Sequence, residues 1–116
     1  MSQIREITAA MFADKIKKKE LQHALLLDVR EPREWKVYHV PGSVLIPLNS
    51  LSQRWPELEV GRELFVFCAH GVRSVYAVQW LAELKQWDLV HVNGGLAEVA
   101  LHLEEKDLPP GADGSR

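Results

Sequence analysis

The sequence predicts an α/β domain: a five-stranded, mainly parallel sheet with helices on both faces. Three observations carry that expectation. Short apolar runs recur along the chain, at Leu25-Leu26-Leu27, Val44-Leu45-Ile46, Leu64 to Phe67 and Leu89 to Val92, as expected of strands covered on both sides. Segments of helical apolar spacing separate them, so the strands have crossovers long enough for parallel pairing. Turn residues punctuate the joins at Pro41-Gly42, Gly61 and Gly94-Gly95, where backbone must reverse.

Each element follows from local chemistry. Gln3 to Ile7 is expected as a short edge strand. Thr8 is a suitable N-cap for a helix over Ala9 to Lys19, with Met11, Phe12 and Ile16 on its apolar face. Leu25 to Leu27 ends at Asp28-Val29-Arg30. Glu31 to Val37 is a short helix, with Pro32 tolerated in the first turn. Pro47 stops the Val44 to Ile46 strand. Asn49 or Ser50 caps a helical stretch over Leu51 to Trp55, and Pro56 breaks it. Ser74 is expected to cap a helix over Val75 to Gln86, and Leu96 to about Glu105 is the final helix. Pro109 to Arg116 reads as a disordered tail, so the domain is expected over residues 1–108.

Composition narrows the function classes. The chain has 116 residues, 47% of them apolar, which suits one domain with a single core. The net charge is −2, and the basic run Lys17-Lys18-Lys19 falls on a helix as a solvated face, so nucleic-acid binding has no support. The single cysteine excludes an internal disulfide and an internal resolving thiol. The first residues lack the apolar core of a secretory signal, and no apolar run approaches transmembrane length. A cytoplasmic protein without a membrane partner is therefore expected. His23, His39, His70, His91 and His102 show no metal-ligand spacing. No metal site and no cofactor motif is read, and the tryptophans read as packing residues or partly exposed amphipathic surface.

The chemistry concentrates at Cys68-Ala69-His70-Gly71-Val72-Arg73-Ser74. An apolar strand ends at the thiol, a short loop with a central glycine follows, and a helix then begins. Successive N–H groups in such a loop converge into an anion-binding nest, and the helix adds the positive end of its dipole. Arg73 brings a fixed charge. This field favours thiolate over thiol. His70 is a candidate for substrate contact or for an exposed loop position.

Cys68-x-x-Gly71-x-Arg73-Ser74 resembles the active-site loop of rhodanese-like sulfurtransferases. Three further blocks resemble the same family in the same order. They are Leu27 to Trp35 with its Asp-Val-Arg, Tyr38 to Val44 around Pro41-Gly42, and Val92 to Leu96 with its glycine pair. Together they span about Ile4 to Leu103. Tyr38 stands where the family usually has glycine, and Ser43 where it usually has alanine.

The resemblance implies the rhodanese-like three-layer fold. It also implies a sulfurtransferase that moves a sulfane sulfur from thiosulfate or a similar donor through a Cys68 persulfide. The acceptor is an external thiophile: cyanide, a small thiol or a sulfur-accepting protein. Ala69, His70, Gly71, Val72 and Arg73 would bind substrate, with Asp28, Arg30 and Ser74 in support. Asp28 with Arg30 is read as a structural ion pair, with Glu34 in the same network. Arg73 is read either as a sulfonate ligand or as an ion-pair partner, and His39 as a turn residue. Cysteine phosphatases with a related nest carry the arginine one residue further on, so this tighter loop suits a terminal sulfur better than a phosphoryl group. The alternative is a rhodanese-like sulfur-carrier or interaction module with little turnover on thiosulfate.

Overall fold

The computed structural model describes residues 3–112. Five strands run in chain order: β1 (Ile4–Ile7), β2 (Leu25–Asp28), β3 (Val44–Leu45), β4 (Glu63–Phe67) and β5 (Asp88–Val92). They form one sheet in the order β1-β5-β4-β2-β3, and every pairing is parallel. The helices are α1 (Ala9–Lys17), α2 (Pro32–Val37), α3 (Leu51–Arg54), α4 (Arg73–Leu84) and α5 (Gly95–Val99).

Period-two alternation splits the strands between two cores. Leu26, Phe65, Phe67, Val90 and Val92 pack with Phe12 and Ala13 of α1 and with Leu96 and Val99 of α5. Leu27, Leu64, Val66 and Leu89 pack on the other face with Ala77, Val78 and Leu81 of α4 and with Leu51 of α3. Cys68 belongs to this second face. The expected three-layer α/β architecture is thus observed.

Several local expectations are corrected. Thr8 does cap α1, its Oγ1 accepting from the Met11 N–H at 3.1 Å, but α1 ends at Lys17 because Lys19 turns left-handed at φ 56°. Met11 faces solvent, and Ala9, Phe12 and Ala13 form the buried stripe. Ser74 is not the N-cap of α4. Val72 holds that position, and the Ser74 hydroxyl turns inward to polar partners in the core. The final helix is shorter than expected. After α5 the chain tightens into a 3₁₀ turn over Ala100–His102, extends at Leu103, and restarts at Glu104, whose N–H donates to Asp107 Oδ2 at 2.9 Å.

The tail is also tied down over its first residues. The His39 N–H and Nδ1 both meet the Pro109 carbonyl at 2.9 Å, and the Gly111 N–H donates to the Trp35 carbonyl at 3.1 Å. Leu108, which precedes this latch, is buried in the core. Residues 113–116 of the expected tail lie outside the described residues.

Candidate active site

Parallel strands deliver their carboxyl ends to one edge of the sheet, where loops of α/β domains gather functional groups. Cys68 follows β4 at that edge and is 1% exposed. Gly71 takes φ 83°, a left-handed conformation that folds the loop back over the sulfur. Cys68 Sγ then accepts from the Gly71 N–H at 3.1 Å and the Ser74 N–H at 3.3 Å. Ser74 Oγ lies 3.3 Å from the same sulfur. Of the loop N–H groups expected to converge from Ala69 to Arg73, that of Gly71 meets the sulfur, joined by that of Ser74 at the start of α4. Both point the positive end of a main-chain dipole at the sulfur.

Other loop residues fall into place around it. His70 and Val72 are exposed, and Ala69 and Gly71 are half-buried. Arg73 meets Glu34 in a two-pronged ion pair, Nη1 to Oε1 at 2.7 Å and Nη2 to Oε2 at 2.9 Å. Of its two readings, ion pairing is the geometry present. The Arg73 hydrogen bonds hold the Glu34 carboxyl down at about 2, against a desolvation that opposes them. Glu34 in turn keeps the Arg73 guanidinium above its ordinary value.

Asp28 and Arg30 form the support beneath α2. Arg30 Nε lies 3.0 Å from both Asp28 oxygens, and Nη2 lies 2.9 Å from Oδ2. Both side chains are almost fully buried. Burial pushes the Asp28 carboxyl up, against the pull of Arg30. Arg30 also donates to the carbonyls of Glu34 at 3.4 Å and Tyr38 at 2.8 Å, and its guanidinium sits 5.1 Å from the Tyr38 ring centre. Tyr38 is extended at φ −162°, so a side chain fits where the family usually has glycine. Glu34 shares the Asp28–Arg30 network through its carbonyl, while its carboxylate reaches across to Arg73. A chain of contacts thus runs from β2 through α2 to the end of the Cys68 loop.

The second glycine turn is a further support. Leu96 and Ala97 N–H groups donate to the carbonyls of Cys68 and Ala69, at 2.8 and 2.9 Å. Gly95, at φ 69°, lies so close that a Cβ there would stand 2.5 Å from the Ala69 carbonyl. Sequence reasoning noted the glycine pair but not this seam. It also missed His91, whose Nε2 lies 2.7 Å from Ser74 Oγ. The available signal was strand period: His91 follows Leu89 by two and so shares its face, the one that carries Cys68.

The Glu34–Arg73 pair makes a pH-dependent prediction. Glu34 ionises in the fold well below the ordinary 4.5. Its contribution to stability is complete above that value and fades as pH falls toward about 2. Urea midpoints of wild type and Glu34→Gln should differ at neutral pH and converge across this acid window. A constant difference down to the lower limit would show that the pair does not contribute.

These features define an α/β domain whose lone thiol sits in a cradle of main-chain donors. A sequence profile of the Rhodanese-like domain matches residues 8–102. The chain belongs to the rhodanese-like domain family. The thiosulfate sulfurtransferase GlpE of Pseudomonas syringae pv. syringae is 34% identical over 74 residues, 64% of this chain and 70% of that protein. The putative sulfur carrier protein YrkF of Bacillus subtilis is 32% identical over 97 residues, 84% of this chain and 51% of that protein. The crystal structure of a rhodanese-related protein from Thermoplasma volcanium matches with a TM-score of 0.73 at 36% identity, covering 84% of this chain and 91% of that one. The chain spans about half the length of several curated relatives, 57% and 51% of two from Bacillus subtilis.

Proposed function

We propose that this chain is a sulfurtransferase that carries sulfur as a persulfide on Cys68. The Cys68 thiolate attacks the outer sulfur of thiosulfate or a similar sulfane donor. A Cys68 S–S bond forms as the donor's S–S bond breaks, and sulfite leaves with the electron pair. An external thiophile, cyanide in an assay or the thiol of a small molecule or protein, then takes the outer sulfur and releases the thiolate. The acceptor comes from outside because the chain has one cysteine.

The observation that carries this reading is the convergence of the Gly71 and Ser74 N–H groups on Cys68 Sγ. Among the described residues, no protein acceptor takes the N–H groups of His70, Val72 or Arg73. With Ala69 and Gly71 they supply the substrate cradle, to which Arg73 adds charge. Asp28 and Arg30 hold the cradle through α2. The name of the GlpE relative supports thiosulfate as donor. A reducing, cytoplasmic setting suits a lone unprotected thiol, and no helix among the described residues is long and apolar enough to cross a membrane.

Incubation with thiosulfate followed by intact-protein mass spectrometry tests the reading. Wild type should gain one sulfur atom, and Cys68→Ser should gain none. Absence of the gain in wild type rejects the proposal. A second reading, a sulfur carrier with little turnover on thiosulfate, draws support from the engagement of Arg73 by Glu34, which takes its charge from a sulfonate. Sulfur loading without thiocyanate production from cyanide would favour it.

A further inference from the structure

Sulfur transfer as described gives no task to His91, although it is 4% exposed and points into the face that holds the thiol. Its Nε2 lies 2.7 Å from Ser74 Oγ, and Ser74 Oγ lies 3.3 Å from Cys68 Sγ. On its other side, Nδ1 faces Asn93 Oδ1 at 3.2 Å and Glu6 Oε1 at 3.4 Å. An ionised carboxylate only accepts hydrogen bonds. These partners place the proton of a neutral imidazole on Nδ1 and leave the Nε2 lone pair toward Ser74. The Ser74 hydroxyl then donates to Nε2, and its oxygen accepts from the thiol.

We propose that Ser74 and His91 form a proton relay for Cys68, with His91 a positioning residue that holds the thiol proton as imidazolium. The Cys68 S–H bond breaks as a Ser74 O–H bond forms. The original Ser74 O–H bond breaks as His91 Nε2–H forms. No electrons change hands, and the products are a thiolate and an imidazolium. The Ser74 hydroxyl now donates to the sulfur, adding a third donor to the Gly71 and Ser74 N–H groups.

Three neighbouring elements present groups to the imidazole. Glu6 of β1 stands in register with His91 and supplies the facing negative charge. Asn93 supplies a carbonyl oxygen. From β4 the register partner is Val66, which is uncharged, and Cys68 reaches His91 through Ser74 of α4. Glu6 remains 57% exposed in its side chain, so protons exchange with solvent at the β1 side. A persulfide carries the same charge as the thiolate, so the imidazolium persists through the cycle.

The relay rests on the sulfur-transfer reading, yet it is tested separately. In the intact protein, the His91 imidazole is titrated by NMR with Cys68 free and after alkylation with iodoacetamide; the signal is assigned by its loss in His91→Gln. Removing the thiolate should lower the His91 midpoint by about one pH unit or more, the scale of an opposite charge lost at close range. Reciprocally, the pH midpoint of Cys68 alkylation should rise by about one unit in His91→Gln and in Ser74→Ala. Ser74→Thr should retain the wild-type profile.

An unchanged His91 midpoint in alkylated wild type overturns the relay, whether or not the variants fold. So does a folded His91→Gln whose alkylation profile matches wild type. Thiosulfate loading, read by mass on the same samples, reports on sulfur transfer alone. Coupling without loading refutes the transfer, and loading without coupling refutes the relay.

Discussion

Alanine at Gly95 is expected to slow sulfur loading of Cys68 by about tenfold or more and to destabilise the domain by about 2–4 kcal/mol. Two costs combine. A side chain at φ 69° is strained in any surroundings, by about 1–2 kcal/mol. The added Cβ would also stand 2.5 Å from the Ala69 carbonyl and 2.6 Å from the His70 nitrogen. The two segments must separate, which stretches the hydrogen bonds that Leu96 and Ala97 donate to the Cys68 and Ala69 carbonyls. Those bonds hold the start of the cradle, so its donors move off the sulfur.

Gly61→Ala is the control. Gly61 also has positive φ, at 80°, but no atom lies within 4 Å of its added Cβ. It should lose about 1 kcal/mol and load sulfur normally. Thermal melts and loading rates measured side by side decide the matter. If both variants load like wild type, the glycine seam does not position the loop.

The second large effect is expected at Arg30. Arg30→Met leaves the Asp28 carboxylate, itself 0% exposed, buried without its partner, a loss of about 3–5 kcal/mol. The Tyr38 and Glu34 carbonyls lose their donor as well. Since α2 carries Glu34, the grip on Arg73 loosens too. Denaturant melts of Arg30→Met, Asp28→Asn and the double variant separate these effects. The double variant should be more stable than Arg30→Met, because it leaves no unpaired charge. A cost below about 1 kcal/mol for Arg30→Met would show that the buried pair is not the clamp that holds α2.

The sheet and the thiol cradle were legible in the sequence because both are local. A run such as Leu64 to Phe67 ends at Cys68 whatever surrounds it, and Gly71 marks the bend that turns N–H groups inward. The errors share a cause. Its neighbours in sequence point to Ser74 as a cap, but its hydroxyl is recruited by His91, seventeen positions away. Glu34 sits close in sequence to Asp28 and Arg30 and does share their network, but its carboxylate also crosses to Arg73. Pro109 to Gly111 carry the composition of a loose end, yet Trp35 of α2 and His39 just after it offer them backbone partners. Side-chain partnerships between distant segments depend on packing, and periodicity does not encode them.

The end of the sheet away from the loop has a different character. There Arg5 bridges Glu63 and Asp88 at 2.7 and 2.8 Å, with all three side chains open to water. Such pairs add little to stability, and they stand at or near the amino ends of their strands, remote from the thiol. This makes that end the natural handle of the molecule. A fluorophore or a surface tether attached there leaves the end that holds Cys68 unobstructed.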